Sequence, residues 1–193
     1  MAFNINDIKS QLTYGGARPT LFQVNIFNPV NPVADIKVPF LVRATTLPAS
    51  ELGTIQVPYF GRKYKIAGDR TFAAWQVTVM NDEDFAIRHA LEEWNYSINT
   101  YESNLNVVGG GAAGTGAPGF YKSSAEVRQY SKTGQVLRVY RFNGIYPEVI
   151  SSIDLDWNQT DTIEEFQVVF QYDSFEVVGG VTGTLTEGST YFE

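Results

Sequence analysis

The chain of 193 residues carries 21 acidic against 14 basic side chains, one histidine and no cysteine, for a net charge of −7. That balance argues against holding nucleic acid through a phosphate-neutralising patch, and without cysteine neither a disulfide framework nor a thiolate-bound zinc can form. Hydrophobic residues at 44%, with 13 Phe, 11 Tyr and 3 Trp, fit one strand-rich globular domain able to bury roughly 70% of its unfolded surface without a staple.

The first residues, MAFNINDIKS, show no basic segment leading into an apolar run, so no signal peptide is expected, and no stretch nears 18 uninterrupted apolar residues. The N-x-S/T sequons at Asn95 and Asn158 then read as chance matches. Phe3, Ile5, Ile8 and Leu12 carry a loose helical spacing, ended by Gly15-Gly16. Phe22, Val24 and Ile26 alternate with Gln23 and Asn25, the pattern of a half-buried strand. An Asn/Pro cluster at 28–35 turns the chain, and Ile36 to Ala44 reads as a returning strand, stopped by Leu47-Pro48. Ile55, Val57 and Tyr59 alternate with polar residues, as do Tyr64 and Ile66, with Gly61 as the turn between the two runs. Trp75, Val77 and Val79 mark a further strand.

A helix is expected over about 82–101. Asn81-Asp82 can cap it, Glu83 and Asp84 suit its positive end, and Ile87, Ala90, Leu91, Trp94, Ile98 and Tyr101 form one apolar stripe. Residues 104–119 are a Gly/Ala-rich excursion. Strands resume at 125–131 and 135–142 around a Lys132-Thr133-Gly134 hairpin, and Gly144 and Pro147 punctuate. Ile153, Leu155 and Trp157 alternate with Ser152, Asp154 and Asp156 as a strand, and Phe166, Val168, Phe170 and Tyr172 supply its antiparallel partner. The chain thus reads as α+β, mostly β, with one helix on a sheet face. Residues 1–176 form a single domain, and the Gly/Thr-rich 177–193 form an extension, either mobile or ordered on a neighbour.

Catalytic motifs find little support. The matches to GxGxxG at Gly109, Gly111, Gly114 and at Gly114, Gly116, Gly119 do not open a helix, as a pyrophosphate site requires. His89 is the lone histidine and lacks the partners of a triad or a metal cluster. Asp154 and Asp156, with Glu164-Glu165 beyond, could serve as paired carboxylates or Ca²⁺ ligands, yet i,i+2 acids on a strand are more often simply solvated. Arg62, Lys63, Lys65 and Arg70 form the one basic cluster, open to three readings: a thin nucleic-acid patch, a solvated strand pair, or a complement to an acidic neighbouring subunit.

Residues RATTLP at 43–48, IQVPYFGRKYKIAGDRTF at 55–72 and WQVTVMND at 75–82 resemble the tail tube proteins of contractile-tailed bacteriophages. GARPTLFQV at 16–24, AEVRQYSK at 125–132 and LDW at 155–157 extend the similarity over most of the chain, with departures at 28–35, 105–119 and after 176. The resemblance implies an antiparallel β-barrel or sandwich-like subunit whose six copies form a ring around a channel. Rings would stack helically into a tube inside a contractile sheath, bounded by baseplate and terminator proteins and passing phage DNA without sequence-specific binding. It implies a virion location after assembly in the host cytoplasm, no membrane anchor, no cofactor and no catalytic residue.

Within a long loop at 45–70, poor hydrophobic patterning with Pro58, Gly61 and four basic residues makes 49–70 a protruding hairpin or loop, with Ile55, Val57, Tyr59, Arg62, Lys63, Lys65 and Arg70 as expected inter-ring contacts. Asp154, Asp156, Gln167 and Gln171 become expected channel-lining residues. Two rivals are the tube of an injection or secretion apparatus, and an aromatic-rich carbohydrate-binding β-sandwich.

Overall fold

Short alternating runs dominate the chain, and in the computed structural model, which describes residues 5–12, 16–103, 118–181 and 183–186, they pair into antiparallel ladders. The elements in order are α1 (Ile5–Gln11), β1 (Phe22–Ile26), a 3-10 helix (Pro32–Ile36), α2 (Val38–Leu41), β2 (Val42–Thr45), β3 (Glu51–Tyr59), β4 (Arg62–Thr71) and β5 (Trp75–Met80). They continue with α3 (Ala86–Ile98), α4 (Pro118–Tyr121), β6 (Ser123–Tyr130), β7 (Val136–Ile150), β8 (Glu165–Gln171) and β9 (Ser174–Gly180).

The main sheet runs β1-β6-β7-β8-β5-β2, with β9 also on β7, while among the described residues β3 and β4 pair only with each other. Its pivot is β7. Residues up to Asn143 pair with β9 and up to Ile145 with β6, and residues from Tyr146 pair with β8. Between them Gly144 takes φ +70°, a left-handed backbone that a side chain would strain. The strand bends there, where Gly144 and Pro147 were expected to end it, and folds the two halves of the sheet over a common core. Among the described residues no barrel closes; β1 and β2 terminate the order.

The alternation places Val24, Val127 and Phe142 from one half against Trp75, Val77, Val168 and Phe170 from the other. Trp75 stacks on Phe142 with ring centroids 4.4 Å apart. Helix α3 adds Ile87, Ala90, Leu91 and Trp94. Full burial of such side chains contributes about 1.5–3 kcal/mol each, so this single cluster holds the fold.

Four expectations change, the first three because a local polar group outcompetes the periodic pattern. Over 36–44, Asn31 caps the 3-10 helix through Val33 N, and Pro32 and Pro39 pre-set helical φ, so only Val42–Thr45 is strand. Helix α3 starts at Ala86, because Phe85 is left-handed (φ 52°) and Asp82 and Asp84 cap the preceding turn through Glu83 N and Ala86 N. Tyr101 then lies beyond the helix, exposed and edge-on to Tyr96.

Ile153, Leu155 and Trp157 form no strand. Asp156 Oδ1 accepts from Asn158 N at 2.9 Å, Asp156 O accepts from Gln159 N at 3.1 Å, and Asp161 is left-handed at φ 62°, so turns replace a ladder. Finally, β9 crosses the expected boundary at 176 and pairs with β7 through Gly180, so the domain reaches at least that far. Leu185 bridges back to Val177. Residues 104–117 of the Gly-rich excursion and residues 187–193 of the extension lie outside the described residues.

Candidate assembly surfaces

The β3–β4 hairpin gathers every residue expected at an inter-ring contact. Its tip is Phe60-Gly61, both at positive φ (42° and 79°), the requirement of a two-residue turn that matches strand twist. A bulky aromatic at positive φ is an outlier. The register sets Ile55 opposite Ile66, Val57 opposite Tyr64 and Tyr59 opposite Arg62, which makes one face of the ribbon apolar up to Arg62 at its tip. Gln56 and Pro58 lie opposite Lys65 and Lys63 on the other, basic face. Arg70 sits near the root, its Nη1 donating to Ser50 Oγ at 2.5 Å.

All of β3 is exposed, and all of β4 save the half-buried Gly68. A lone two-stranded ribbon is at best marginal in water, and a contiguous exposed apolar face marks a contact surface. The hairpin is anchored at its root, where Trp75 Nε1 donates to Thr45 Oγ1 (2.9 Å) and Thr46 O (3.1 Å). It leaves the sheet at the Trp75/Phe170 end of the β5–β8 ladder.

The segment 151–164 sits at the other end of that ladder, where Met80 meets Glu165. It carries Asp154, Asp156, Asp161 and Glu164, and Trp157 is 100% exposed with Leu155 and Ile163 exposed beside it. Arg43, Met80, Ile153 and these three apolar residues help line an open cleft of about 970 Å³. Asn81 Nδ2 donates to Glu164 Oε2 at 3.0 Å, and Arg43 pairs with Glu165, which fixes the rim of the cleft to β5 and β2.

Gln167 and Gln171 occupy a different surface, the face of β8 turned away from the core. Gln167 Nε2 donates to Gln76 Oε1 at 3.1 Å and Gln171 Nε2 to Glu148 Oε2 at 2.7 Å, forming a polar sheet face with Thr78. Asp154 and Asp156 do not share it, because they belong to the turn segment. The four expected channel-lining residues therefore separate into two places.

The corresponding face of the other half-sheet holds an ion network that sequence reasoning missed. Glu126 is buried, its Oε1 accepting from Arg141 Nε (3.1 Å) and Nη2 (2.8 Å) and its Oε2 from Arg128 Nη2 (2.7 Å). Burial pushes the carboxyl pKa up, but the Arg141 and Arg128 hydrogen bonds together outweigh it and hold the group below the usual range. The signal was available: the register of the 125–142 hairpin sets Glu126 directly opposite Arg141.

The remaining candidates stay apart. His89 is exposed on α3, and Asn95 within that helix donates to Pro147 O at 3.2 Å. Among the described residues no three His, Asp or Glu side chains converge as metal ligands. The described residues contain no helix long and apolar enough to cross a membrane. Gly109, Gly111, Gly114 and Gly116 fall outside the described residues.

Residues 17–178 match the family model described as phage tail tube protein. The chain is 37% identical over 161 residues to tail tube protein gp19 of Enterobacteria phage T4, covering 83% of this chain and 91% of that protein. It is 26% identical over 132 residues to the tail tube protein of Serratia phage KSP90, covering 68% and 70%. Among solved structures, the tube-terminating cap of the anti-feeding prophage superposes with a TM-score of 0.61 at 14% identity, over 86% of this chain and 92% of that one. The sheath–tube complex of an extracellular contractile injection system gives 0.52 at 13%, over 90% and 97%.

Proposed function

Because the chain belongs to the phage tail tube protein family, we propose that six copies close into a ring and that rings stack helically to form the channel of a contractile tail. It is a structural component of the virion. The observation that carries the assembly reading is the β3–β4 hairpin, an apolar-faced ribbon that the described residues of its own domain leave exposed. Within a ring, the edges β1 and β2 that end the sheet order are available to pair between neighbours, which removes the aggregation hazard of open strands. The hairpin, with Ile55, Val57, Tyr59, Arg62, Lys63, Lys65 and Arg70, then reaches the adjacent ring.

The polar face bearing Gln76, Gln167 and Gln171 lines the channel in this reading. Uncharged amides and a net charge of −7 give DNA no cationic surface to stall on. A tube structure with those glutamines turned towards the sheath refutes that lining. Sheath, baseplate and terminator proteins are the partners outside and at the ends, and the subunit's work is mechanical, without cofactor or catalysis. The sheath–tube complex of an injection system shares the fold at 13% identity, against 37% to the phage T4 protein, which favours DNA as the cargo.

Cryo-electron microscopy of the purified chain tests the whole. Six-fold rings or hollow tubes are expected. A protein that stays a single subunit at high concentration, with neither, refutes the proposal.

A further inference from the structure

The hairpin and the 151–164 segment are opposite in position, in charge and in shape. By the β5–β8 register the hairpin leaves at the Trp75 end, whereas 151–164 enters at the Met80 end. Six residues of β5 place these ends about 20 Å apart. The ribbon, itself about 30 Å long from the nine residues of β3, starts from the pole opposite its own cleft. Two features at opposite poles of one subunit meet only between copies, head to tail, and such a heterologous contact propagates as a filament when it does not close.

The chemistry matches. Residues 56–66 carry Arg62, Lys63 and Lys65 and no acid, while 152–165 carry Asp154, Asp156, Asp161, Glu164 and Glu165 and no base. Each charged set surrounds exposed apolar side chains. At the hairpin tip Phe60 is 92% exposed and stands edge-on to Tyr59 at 4.7 Å. In the cleft Leu155, Trp157 and Ile163 are 78%, 100% and 69% exposed among the described residues. Aromatic anchors within a charged rim are the usual anatomy of a specific interface.

We propose that the hairpin tip of one copy seats Tyr59 and Phe60 in the Leu155/Trp157/Ile163 cleft of a second copy. Arg62 and Lys63 then face the aspartates at 154, 156 and 161, forming the axial contact between stacked rings. The proposal rests on the tail-tube reading and names the acceptor that the reading leaves open. It also accounts for the left-handed Phe60, since that backbone presents the ring at the very end of the ribbon. Asp154 and Asp156 become a docking rim in place of a channel lining.

Two sets of variants test it on the full-length protein, with tube length read by electron microscopy. Arg62→Glu with Lys63→Glu, and separately Asp154→Lys with Asp156→Lys, should each shorten tubes at least tenfold at physiological salt while rings persist. Combining all four reversals should restore tubes. The chain lacks cysteine, so a Phe60→Cys, Trp157→Cys double variant reports the contact without background. Oxidised tubes should run as a ladder of covalent multimers, and either single variant should stop at monomer. Parent protein that forms no tubes refutes the tube reading and this pairing with it. Tubes that survive reversal of the aspartates, or cysteine tubes that give no ladder, refute the pairing alone.

Discussion

Excision of the hairpin separates stability from assembly. Consider a chain in which residues 50–71 are replaced by a short Gly/Ser bridge, with Thr45, Thr46 and Trp75 kept so that the indole hydrogen bonds at the root survive. In an ordinary domain the loss of two strands this long would remove core and unfold the protein. Here, among the described residues, β3 and β4 pair with no other strand, and neither contributes a buried residue. No transfer free energy of the kind that holds Trp75 or Phe170 is lost, because apolar groups left in water in the folded state contribute nothing through burial.

Two small contributions remain. The ribbon's own folding is marginal, near zero in isolation. Shortening the connection between β2 and β5 about threefold lowers its closure cost by about 1 kcal/mol. Urea unfolding, followed by the fluorescence of the buried Trp75 and Trp94, should therefore give a stability within about 1 kcal/mol of the parent, and a smaller denaturant slope because less surface is exposed on unfolding. Tubes should be absent from the same preparation. A loss above about 3 kcal/mol, the scale of a large core deletion, would show that the ribbon packs on its own body. Normal tubes would show that it is not the stacking device.

Two further outcomes follow from the body of the domain. Glu126→Gln leaves Arg128 and Arg141 without their anion; those cations are 40% and 45% exposed, so the cost should be about 1–2 kcal/mol, below the 3–5 typical of a fully buried pair. Because the folded-state pKa of Glu126 is depressed, its contribution is complete above the unfolded carboxylate pKa and fades as pH falls through the folded value. The gap in thermal midpoint between parent and variant should accordingly close on acidification, and a gap that widens would contradict the network. Gly144→Ala places a methyl against the Asp173 carboxylate, which holds Lys122 at 2.6 Å, and imposes φ +70° on an L residue; a loss of about 2 kcal/mol in urea unfolding is expected, and no change would mean that β7 does not need its bend.

Where the pattern was long and met no rival, the sequence was legible. Trp75, Val77 and Val79, the Phe166–Tyr172 alternation and the 125–142 hairpin all form the expected strands, because burial of one face outweighs every local preference there. The hairpin at 49–70 was legible for the opposite reason, since Gly61 and an alternation without an obvious inward face point to a ribbon. The pattern failed where short polar side chains offered the backbone a local partner. Asn31, Asp84 and Asp156 each capture an N–H within two residues, and each ended or displaced an element that hydrophobic periodicity alone would have extended. Tertiary sharing defeated it elsewhere: β7 reads as two pieces because no local signal says that one strand will serve two half-sheets.

The placement of these features separates lateral from axial contact. Strand edges lie beside a subunit and offer backbone hydrogen bonds, whose pairing depends on register and is insensitive to salt. Connections at strand ends lie above and below and offer side chains, here basic-aromatic at one pole and acidic-aromatic at the other. Ring closure and ring stacking on the proposed reading therefore draw on different physics, and they should respond differently to ionic strength. Attraction between exposed charges falls off over about 8 Å at physiological salt and about 3 Å at 1 M, so high salt should dissolve tubes into rings before it dissolves rings into subunits. Sedimentation of tubes across a salt series reads the order directly. Rings lost first, or both lost together, would mean that stacking does not rest on the charged poles.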